Sequence, residues 1–516
     1  MKLLLVREVS EIRGDLSQGL GIIGTIAKAE AEVRIFDNNS MYVTFSIKQI
    51  IEKIAQFNPD VVGFHVHTHN IFKTGELICA VKATFPHICL IAGGLHAFHE
   101  PEEVLDLGVH IVAIEEADLT ILPLLRELKN SIKSGSTFQI PPPLSDSLSL
   151  VPGLLFRPST TQEIKNTGRP EFIKNLDDLP FIDYELFNLE DYIHKKSDGH
   201  YVTNTLLTQR GCPFTCSFCQ GGDEGAFRMT RENSPEYKIN YILYLKEKYG
   251  HDYFVFFDAN FTLSAKRTMA FCEKIIASGL NKEIKFWCET NASLKLDRPM
   301  AEALKEAGCC DIAFGIERLT DDAMEQIGKK VKFEIIQDRI QNLSDVGIRV
   351  AANALVGFPF DTVETIMREE KLFNMTLDKV DSIMVSVVLP LPGTKLYHQT
   401  DKKRWYFSQS YIKWRPPFYH IAYNYNGNAW NANYFNLSEE TMGAVRGMRE
   451  RMHSKSMQKL NNKIVSSLFI FVQIFAKISL FLFQRSPLAE RIILAPVHFT
   501  YVYLWKFMVS KFYVTR

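Results

Sequence analysis

The chain has 516 residues, 46% of them hydrophobic and 23% charged, a balance that excludes a disordered, collagenous or mucin-like protein and predicts several domains. Nine cysteines are too few for a disulfide scaffold, and no basic segment followed by an apolar run opens the chain, so we expect a cytoplasmic location. The 59 basic and 59 acidic residues cancel, so the net charge of the whole chain is zero.

Residues 1–135 alternate short apolar stretches with amphipathic ones, which predicts an α/β domain with a doubly wound parallel sheet. The predicted strands are Lys2–Val6, Val33–Asp37, Val61–Phe64, Ile88–Ala92 and Ile111–Ile114. Ligands of such sheets bind beyond the carboxyl ends of the strands. The residues that we single out at those ends are Thr68, Gly93, Gly94 and Glu116. Glycine at positions 93 and 94 allows a flat ligand to approach the backbone closely.

Residues 136–200 are rich in Ser, Pro and Thr and predict a connector. In residues 201–400 the alternation of strands and helices resumes. The predicted strands there are Thr203–Thr208, Tyr253–Phe257, Ile284–Glu289, Ile312–Gly315, Val350–Val356 and Ser382–Val388. We expect helices to begin near Ser234, Ser264, Pro299, Thr320 and Asp361. Six such units predict a partial (β/α)6 barrel, short of the usual eight.

Three cysteines follow the first barrel strand with the spacing CxxxCxxC, at Cys212, Cys216 and Cys219. Thiolates bind both iron-sulfur clusters and zinc. Because no fourth Cys or His stands nearby at zinc-finger spacing, one site of a tetrahedral or cubane centre stays open, which indicates catalysis. The alternative is a zinc knuckle with three cysteines.

This triplet, in this place in a partial barrel and with Phe218 before the third cysteine, resembles the radical S-adenosylmethionine enzymes. The resemblance implies that Cys212, Cys216 and Cys219 hold a [4Fe-4S] cluster whose fourth iron binds S-adenosylmethionine. Further segments resemble the S-adenosylmethionine contacts of that family in the family's order. Their candidate residues are Phe218, Gly221, Gly222, Glu289, Asn291, Glu317 and Gly357. The acidic residue usual after the two glycines is shifted by one position, to Asp223, or absent.

The N-terminal domain is similar to the cobalamin-binding domain that precedes the barrel in one class of these enzymes, so Thr68, Gly93, Gly94 and Glu116 are candidate cobalamin contacts. Two departures stand out. The Asp-x-His-x-x-Gly signature, which supplies a histidine to cobalt in other cobalamin proteins, does not occur. His65 and Glu115 occupy positions where the family often has Ser and Gly, and their bulk would narrow the pocket.

Residues 401–516 contain 17 basic and 5 acidic residues, which give this C-terminal region a net charge of +12. We predict a mainly helical region with a basic helix over Ser438–Lys463, followed by apolar runs at Ile464–Phe483 and Ile492–Val509. Lys477 and other polar residues interrupt the first run, which favours a helical pair that lies on a membrane or encloses substrate over a true span. We therefore expect peripheral membrane association and no nucleic-acid partner.

By the family resemblance, the function is methylation of an unactivated carbon or phosphorus in a small or lipid-like substrate through a 5'-deoxyadenosyl radical. One S-adenosylmethionine would methylate the cobalamin, a second would supply the radical, and flavodoxin or ferredoxin would supply electrons. Two alternatives stay open. One is radical cyclisation or rearrangement without methyl transfer, and the other is a non-catalytic corrinoid or redox sensor at the membrane. No catalytic acid or base can be assigned from the sequence.

Overall fold

A computed structural model of the protein describes residues 1–8, 16–39, 45–132, 136–161, 163–188, 194–195, 201–221, 228–400 and 434–459. Within these ranges the chain forms two seven-stranded sheets and a two-stranded ribbon, with helices between the strands. The predicted α/β class is confirmed: a doubly wound sheet precedes a partial barrel, and a helical segment follows.

The first sheet contains all five strands predicted for the N-terminal domain. Its strands are β1 (Lys2–Arg7), β2 (Glu32–Asp37), β3 (Val61–His65), β4 (Cys89–Gly93), β5 (Ile111–Ala113), β6 (Leu154–Phe156) and β7 (Lys165–Asn166). They lie in the order β2-β1-β3-β4-β5-β6-β7, and β1 to β5 are parallel. The helices are α1 (Gln18–Ala27), α2 (Ile47–Phe57), α3 (Ile71–Thr84), α4 (Leu95–His99), α5 (Pro101–Asp106), α6 (Ile121–Lys129) and α7 (Pro142–Leu148). Both faces of the central strands β1, β3 and β4 are covered, so these strands are apolar runs in the sequence, whereas the edge strand β2 alternates exposed and buried residues.

The segment predicted as a connector contributes structure to the first sheet. Strand β6 pairs with β5 in antiparallel fashion, and β7 pairs with β6 in the same way. These strands are only three and two residues long, so they leave no periodic pattern in the sequence. The following residues, Leu176, Leu179 and Ile182, are buried between the two domains' helices and sheets.

The second sheet contains the six predicted barrel strands and one additional short strand. Its strands are β8 (His194–Lys195), β9 (Tyr201–Leu206), β12 (Tyr253–Phe256), β13 (Lys285–Asn291), β14 (Cys309–Glu317), β15 (Arg349–Val356) and β16 (Ser382–Val387), and β10 (Gln209–Arg210) and β11 (Arg231–Glu232) form the ribbon. They lie in the order β16-β15-β14-β13-β12-β9-β8, with β8 antiparallel at one edge. The helices are α8 (Pro235–Tyr249), α9 (Ala265–Ser278), α10 (Arg298–Glu306), α11 (Asp321–Gln326), α12 (Phe333–Asp345), α13 (Val363–Leu377) and α14 (Glu439–Lys459). Ser234, Ser264 and Thr320, predicted to mark helix starts, occupy the N-cap positions of α8, α9 and α11.

Helix α14, the basic helix predicted from the sequence, covers the outer edge strand of the second sheet. The hydroxyl of Ser456 accepts a hydrogen bond from the backbone N–H of Ile383 (2.9 Å), and Nε2 of His453 accepts one from Val385 (3.3 Å). An open strand edge would otherwise expose these donors to pairing with another chain. No helix in the described ranges is both long and apolar enough to cross a bilayer. The predicted runs Ile464–Phe483 and Ile492–Val509 lie outside those ranges.

A fully buried arginine fixes the ends of β14 and β15. The Arg318 guanidinium donates to both oxygens of Asp361 (2.8 and 3.1 Å), and its Nε lies 3.3 Å from Glu369. Asp361 also accepts the backbone N–H groups of Gly357 and Phe358 at 2.8 and 2.9 Å. Each buried charge in this network depends on its partners, because an unpaired ion in the interior is strongly destabilising.

Replacement of Arg318 by Met should therefore lower the free energy of unfolding by about 3–5 kcal/mol, since Asp361 and Glu369 would stay buried without their cation. Urea denaturation followed by tryptophan fluorescence measures this loss. Arg298 is the matched control, because its side chain is 47% exposed and its ion pairs are on the surface. Arg298→Met should change stability by less than about 1 kcal/mol. Equal losses in the two variants would contradict this description of the network.

Candidate functional site

The loop that carries the three cysteines lies at the carboxyl edge of the second sheet, after β9 and β10. Burial raises the pKa of the Cys216 thiol to about 11; Lys329 lowers it, and nearby Cys219, Glu317 and Cys212 raise it further. Without a metal this thiol is therefore protonated at neutral pH. Thiols must lose their protons to bind metal, so loading of this loop is expected to release protons.

Short contacts from several elements hold this loop in place. The side-chain amide of Asn260 lies 3.2 Å from Sγ of Cys212, and the backbone N–H of Ser217 donates to Ile327 O (3.0 Å). Gly328 adopts φ +79°, and a Cβ there would lie 2.8 Å from Thr215 O. Glycine is therefore required for the chain after α11 to pass this close to the cysteine loop.

The predicted S-adenosylmethionine residues on β13 to β15 gather at the same edge of the sheet. Glu289 and Asn291 are on β13, Glu317 ends β14, and Gly357 directly follows β15. The Asn291 side chain accepts the N–H of Ser293 (2.9 Å) and so closes a local turn. Gly357 adopts φ +85°, which suits a turn at the strand end. Their predicted cofactor contacts stay predictions.

Sequence reasoning missed Lys329, which reaches this edge from the segment after α11. Its ammonium donates to Gly315 O (2.8 Å) and lies 3.3 Å from a carboxylate oxygen of Glu317. Glu317 itself has φ +66°, an uncommon value for a residue with a side chain. No local pattern marks Lys329, because its partners are 12 and 14 positions earlier in the chain.

The remaining candidates near the cysteines have simpler surroundings. The ring of Phe218 lies 6.1 Å from that of Phe358, so the aromatic residue of the triplet packs against the segment after β15. A Cβ added at Gly221 would be 3.7 Å from Sγ of Cys219, an ordinary contact. Gly222 lies outside the described residues. Asp258, two residues after β12, is buried and accepts the backbone N–H groups of Thr208 and Gln209, so its role is structural.

One cavity of about 460 Å³ lies between the carboxyl ends of the two sheets. The predicted residues Gly93, Gly94 and Glu116 line it from the first sheet, and Gly211, the neighbour of Cys212, lines it from the second. Thr68 is not among the lining residues; its hydroxyl is buried 3.0 Å from Nδ1 of His96. The cavity therefore joins the edge of the first sheet to the start of the cysteine loop.

Two arginines that sequence reasoning missed tie the domains together beside this cavity. Arg210 donates to both oxygens of Asp118 (2.7 and 3.0 Å) and to Glu116 (3.0 Å). Arg231 donates to both oxygens of Glu116 at 2.6 and 3.0 Å. Burial alone would lower the pKa of Arg210, but Asp118 and Glu116 outweigh it and raise that pKa. Glu116 thus takes part in an interdomain ion network and also lines the cavity.

Two family matches cover most of these elements. Residues 17–124 match the B12 binding domain, and residues 206–372 match the Radical SAM superfamily, the enzymes that use S-adenosylmethionine as a radical source. The chain belongs to the cobalamin-dependent radical S-adenosylmethionine enzymes. Its cofactors are accordingly a [4Fe-4S] cluster, S-adenosylmethionine and cobalamin.

Relatives of this enzyme share most of both domains. An uncharacterised methyltransferase of Pyrococcus horikoshii is 28% identical over 73% of this chain and 77% of its own length. The anaerobic magnesium-protoporphyrin IX monomethyl ester cyclase of Cereibacter sphaeroides is 24% identical over 73% of this chain, but only 59% of that cyclase is covered. The methyltransferase TsrM of Kitasatospora setae, solved with cobalamin and a [4Fe-4S] cluster, has the same fold, with a TM-score of 0.62 and 17% identity over 78% of each chain.

The cysteine loop suits a cluster better than a single ion. Among the described residues no three His, Cys, Asp or Glu side chains converge as the ligands of one metal ion would. In a [4Fe-4S] cluster each thiolate binds a different iron, so its cysteines surround a larger object and do not meet at one point. Three partly or fully exposed free thiols in one loop are available as such ligands.

The edge of the first sheet suits a large ligand such as cobalamin. Gly94 adopts φ +112°, and a Cβ there would lie 2.6 Å from the ring of His65 and 2.7 Å from Val66 O. Glycine is therefore required at position 94 for the tight turn after β4, and this turn borders the cavity. One carboxylate oxygen of Glu115 is buried on this wall and has no hydrogen-bond partner in the described structure. A ligand with a hydrogen-bond donor would satisfy this oxygen.

The pKa of Glu289, at the barrel mouth, can be tested through its effect on stability. Burial, and then the charges of Glu317 and Asp258, raise the pKa of its carboxyl to about 7. In the unfolded chain a Glu loses its proton near pH 4.3, so rising pH between about 4.5 and 7 favours the unfolded state. Glu289→Gln should stabilise the cofactor-free protein relative to the wild type by about 3 kcal/mol at pH 8 and by only about 1 kcal/mol at pH 5.

Urea denaturation at the two pH values measures this difference. The exposed Glu334 on α12 provides the control, and Glu334→Gln should leave the pH profile of stability unchanged. If the stability of Glu289→Gln ran parallel to the wild type between pH 5 and 8, the raised pKa would be refuted.

Proposed function

We propose that this enzyme transfers a methyl group from S-adenosylmethionine to an unactivated carbon or phosphorus of an apolar small molecule, through a 5'-deoxyadenosyl radical. The main support for this proposal is the cavity that the two domains share. Its wall includes Gly93 and Gly94, at the proposed cobalamin face, and Gly211, next to the first cysteine. A methyl carrier and a radical source must act on one substrate, and a single cavity that borders both sites meets this need.

The bound cofactors supply the electron that cleaves S-adenosylmethionine and the carrier that delivers the methyl group. The chain's own residues hold and orient them. We infer that Cys212, Cys216 and Cys219 hold the cluster. Lys329 and Glu317 present an ammonium and a carboxylate side by side, which complement the carboxylate and ammonium of a methionine group. Both side chains are largely buried, so these charges would interact with a ligand more strongly than surface charges do.

The substrate that we infer is apolar or lipid-like. Phe257 lines the cavity with 47% of its surface exposed, and its ring contacts that of Trp287 at 5.7 Å. Leu207 also lines the cavity, and its side chain is 40% exposed. Large exposed apolar side chains at a cavity mouth are typical of sites that bind hydrophobic ligands.

Radical cyclisation without methyl transfer is the second candidate. It is favoured by the similarity over 73% of this chain to a protein named as an anaerobic magnesium-protoporphyrin IX monomethyl ester cyclase. Tetrapyrroles are flat and largely apolar, so the same aromatic cavity wall would suit such a substrate.

Two partners belong to the proposal. We infer that a flavodoxin or ferredoxin reduces the cluster, because the proposed reaction needs single electrons at low potential. We also infer peripheral contact with an anionic membrane through residues 401–516, whose net charge of +12 favours such a surface. That contact would deliver a lipid-like substrate to the cavity.

The test uses full-length protein reconstituted anaerobically with iron, sulfide and hydroxocobalamin, and supplied with dithionite and S-adenosylmethionine bearing a deuterated methyl group. An organic extract of cells that lack the gene provides the substrate. Methyl transfer should give S-adenosylhomocysteine and 5'-deoxyadenosine in similar amounts, and a deuterated methyl group in one component of the extract. Mass spectrometry measures all three.

Cys216→Ala is expected to abolish 5'-deoxyadenosine formation, while Cys272→Ala should retain it, because Cys272 is buried on α9 away from the loop. Formation of 5'-deoxyadenosine without S-adenosylhomocysteine would favour cyclisation over methyl transfer. Absence of both products from the loaded wild type would refute catalysis and favour a corrinoid or redox sensor.

A further inference from the structure

Glu115 lies two residues beyond β5, on the wall of the interdomain cavity. Its side chain is only 4% exposed. One carboxylate oxygen, Oε1, is 3.1 Å from Nε of Arg169, whose own side chain is 60% exposed. The other oxygen, Oε2, is buried and has no hydrogen-bond partner in the described part of the chain. Glu115 thus has an unused acceptor oxygen within the cavity wall.

An acceptor in this state is unfavourable in the empty protein. A buried carboxylate oxygen loses its contacts with water, and only a hydrogen bond can replace them. Burial accordingly raises the pKa of Glu115; Arg169 opposes the shift and Glu116 adds to it. A resident ligand with a hydrogen-bond donor at this point would remove the penalty.

The position of Glu115 identifies which ligand that is. Strands β4 and β5 are paired neighbours, and a Cβ placed on Gly93 would lie 3.6 Å from that of Ala113. Glu115 therefore extends the same edge of the first sheet as Gly93 and Gly94, within the stretch that matches the B12 binding domain. Gly211, at the start of the cluster loop, lines the cavity from the second domain.

We propose that Glu115 accepts a hydrogen bond from a neutral donor on bound cobalamin, and thereby acts as an affinity-determining residue of the cobalamin site. This inference rests on the proposed function. The donor can come from two parts of the cofactor: the amide groups around the corrin ring, or the hydroxyl groups of its nucleotide tail. Cobinamide retains the amides and lacks the tail, so it distinguishes the two sources.

The experiment measures the Kd of full-length protein for hydroxocobalamin and for dicyanocobinamide by absorbance titration. Glu115→Leu removes both oxygens and keeps the bulk of the side chain. Its Kd for hydroxocobalamin should rise about 10- to 100-fold, the effect of one lost hydrogen bond to a charged group. Glu115→Gln, which retains one acceptor oxygen, should show a smaller rise. The exposed Glu52 on α2 is the control, and Glu52→Leu should leave the Kd unchanged.

A second measurement separates a lost contact from a damaged fold. Because the unpaired oxygen destabilises the empty site, the thermal midpoint of cobalamin-free Glu115→Leu should equal or exceed that of the wild type, while the increase on adding hydroxocobalamin should shrink. A loss of affinity for both corrinoids assigns the donor to the corrin amides, and a loss for hydroxocobalamin alone assigns it to the tail. If Glu115→Leu binds both as tightly as the wild type, the inference is overturned and the proposed function stands. If the wild type binds neither, the proposed function falls as well.

Discussion

Four charged residues, two from each domain, form the interaction on which the geometry of this enzyme depends. Glu116 and Asp118 follow the last parallel strand of the first sheet, and Arg210 and Arg231 belong to the ribbon of the second domain. If the two domains moved apart, these four charged side chains would lose their partners in a largely apolar setting. Buried ion pairs contribute little net stability, yet breaking one is costly, so they favour one mutual placement of the domains.

This contact between the domains also positions the cysteine loop. Arg210 precedes Cys212 by two residues, and on the other side of the loop the Gln220 amide donates to Pro392 O (2.9 Å). The chain next to Pro392 packs against the first domain, because a Cβ at Gly393 would overlap the ring of His99. Both ends of the cluster loop are therefore linked to the cobalamin-binding domain. Proposed cofactor sites on separate domains thereby face the same cavity, which is what a reaction that combines them requires.

Much of this architecture is predictable because the relevant signals are local. Central strands of the first sheet, such as Lys2–Arg7, are buried on both faces and stand out as apolar runs, and the triplet Cys212 to Cys219 is contained in eight residues. The features that were not predicted join distant parts of the chain. Arg210 and Glu116 are 94 positions apart, and Lys329 resembles any surface lysine in the sequence. Thr68 is a case in which a local signal misled the prediction. It stands near a strand end, but its hydroxyl contacts His96 and the residue does not line the cavity.

If the cluster and cobalamin border one cavity, as we propose, the two centres interact magnetically, and this interaction can be measured. Full-length protein loaded with cob(II)alamin is compared by electron paramagnetic resonance with the cluster reduced and oxidised. We expect faster relaxation of the cob(II)alamin signal when the cluster is reduced and paramagnetic, and no such change in Cys216→Ala. Identical relaxation in both cluster states would contradict it, because two paramagnetic centres that share a cavity must influence one another.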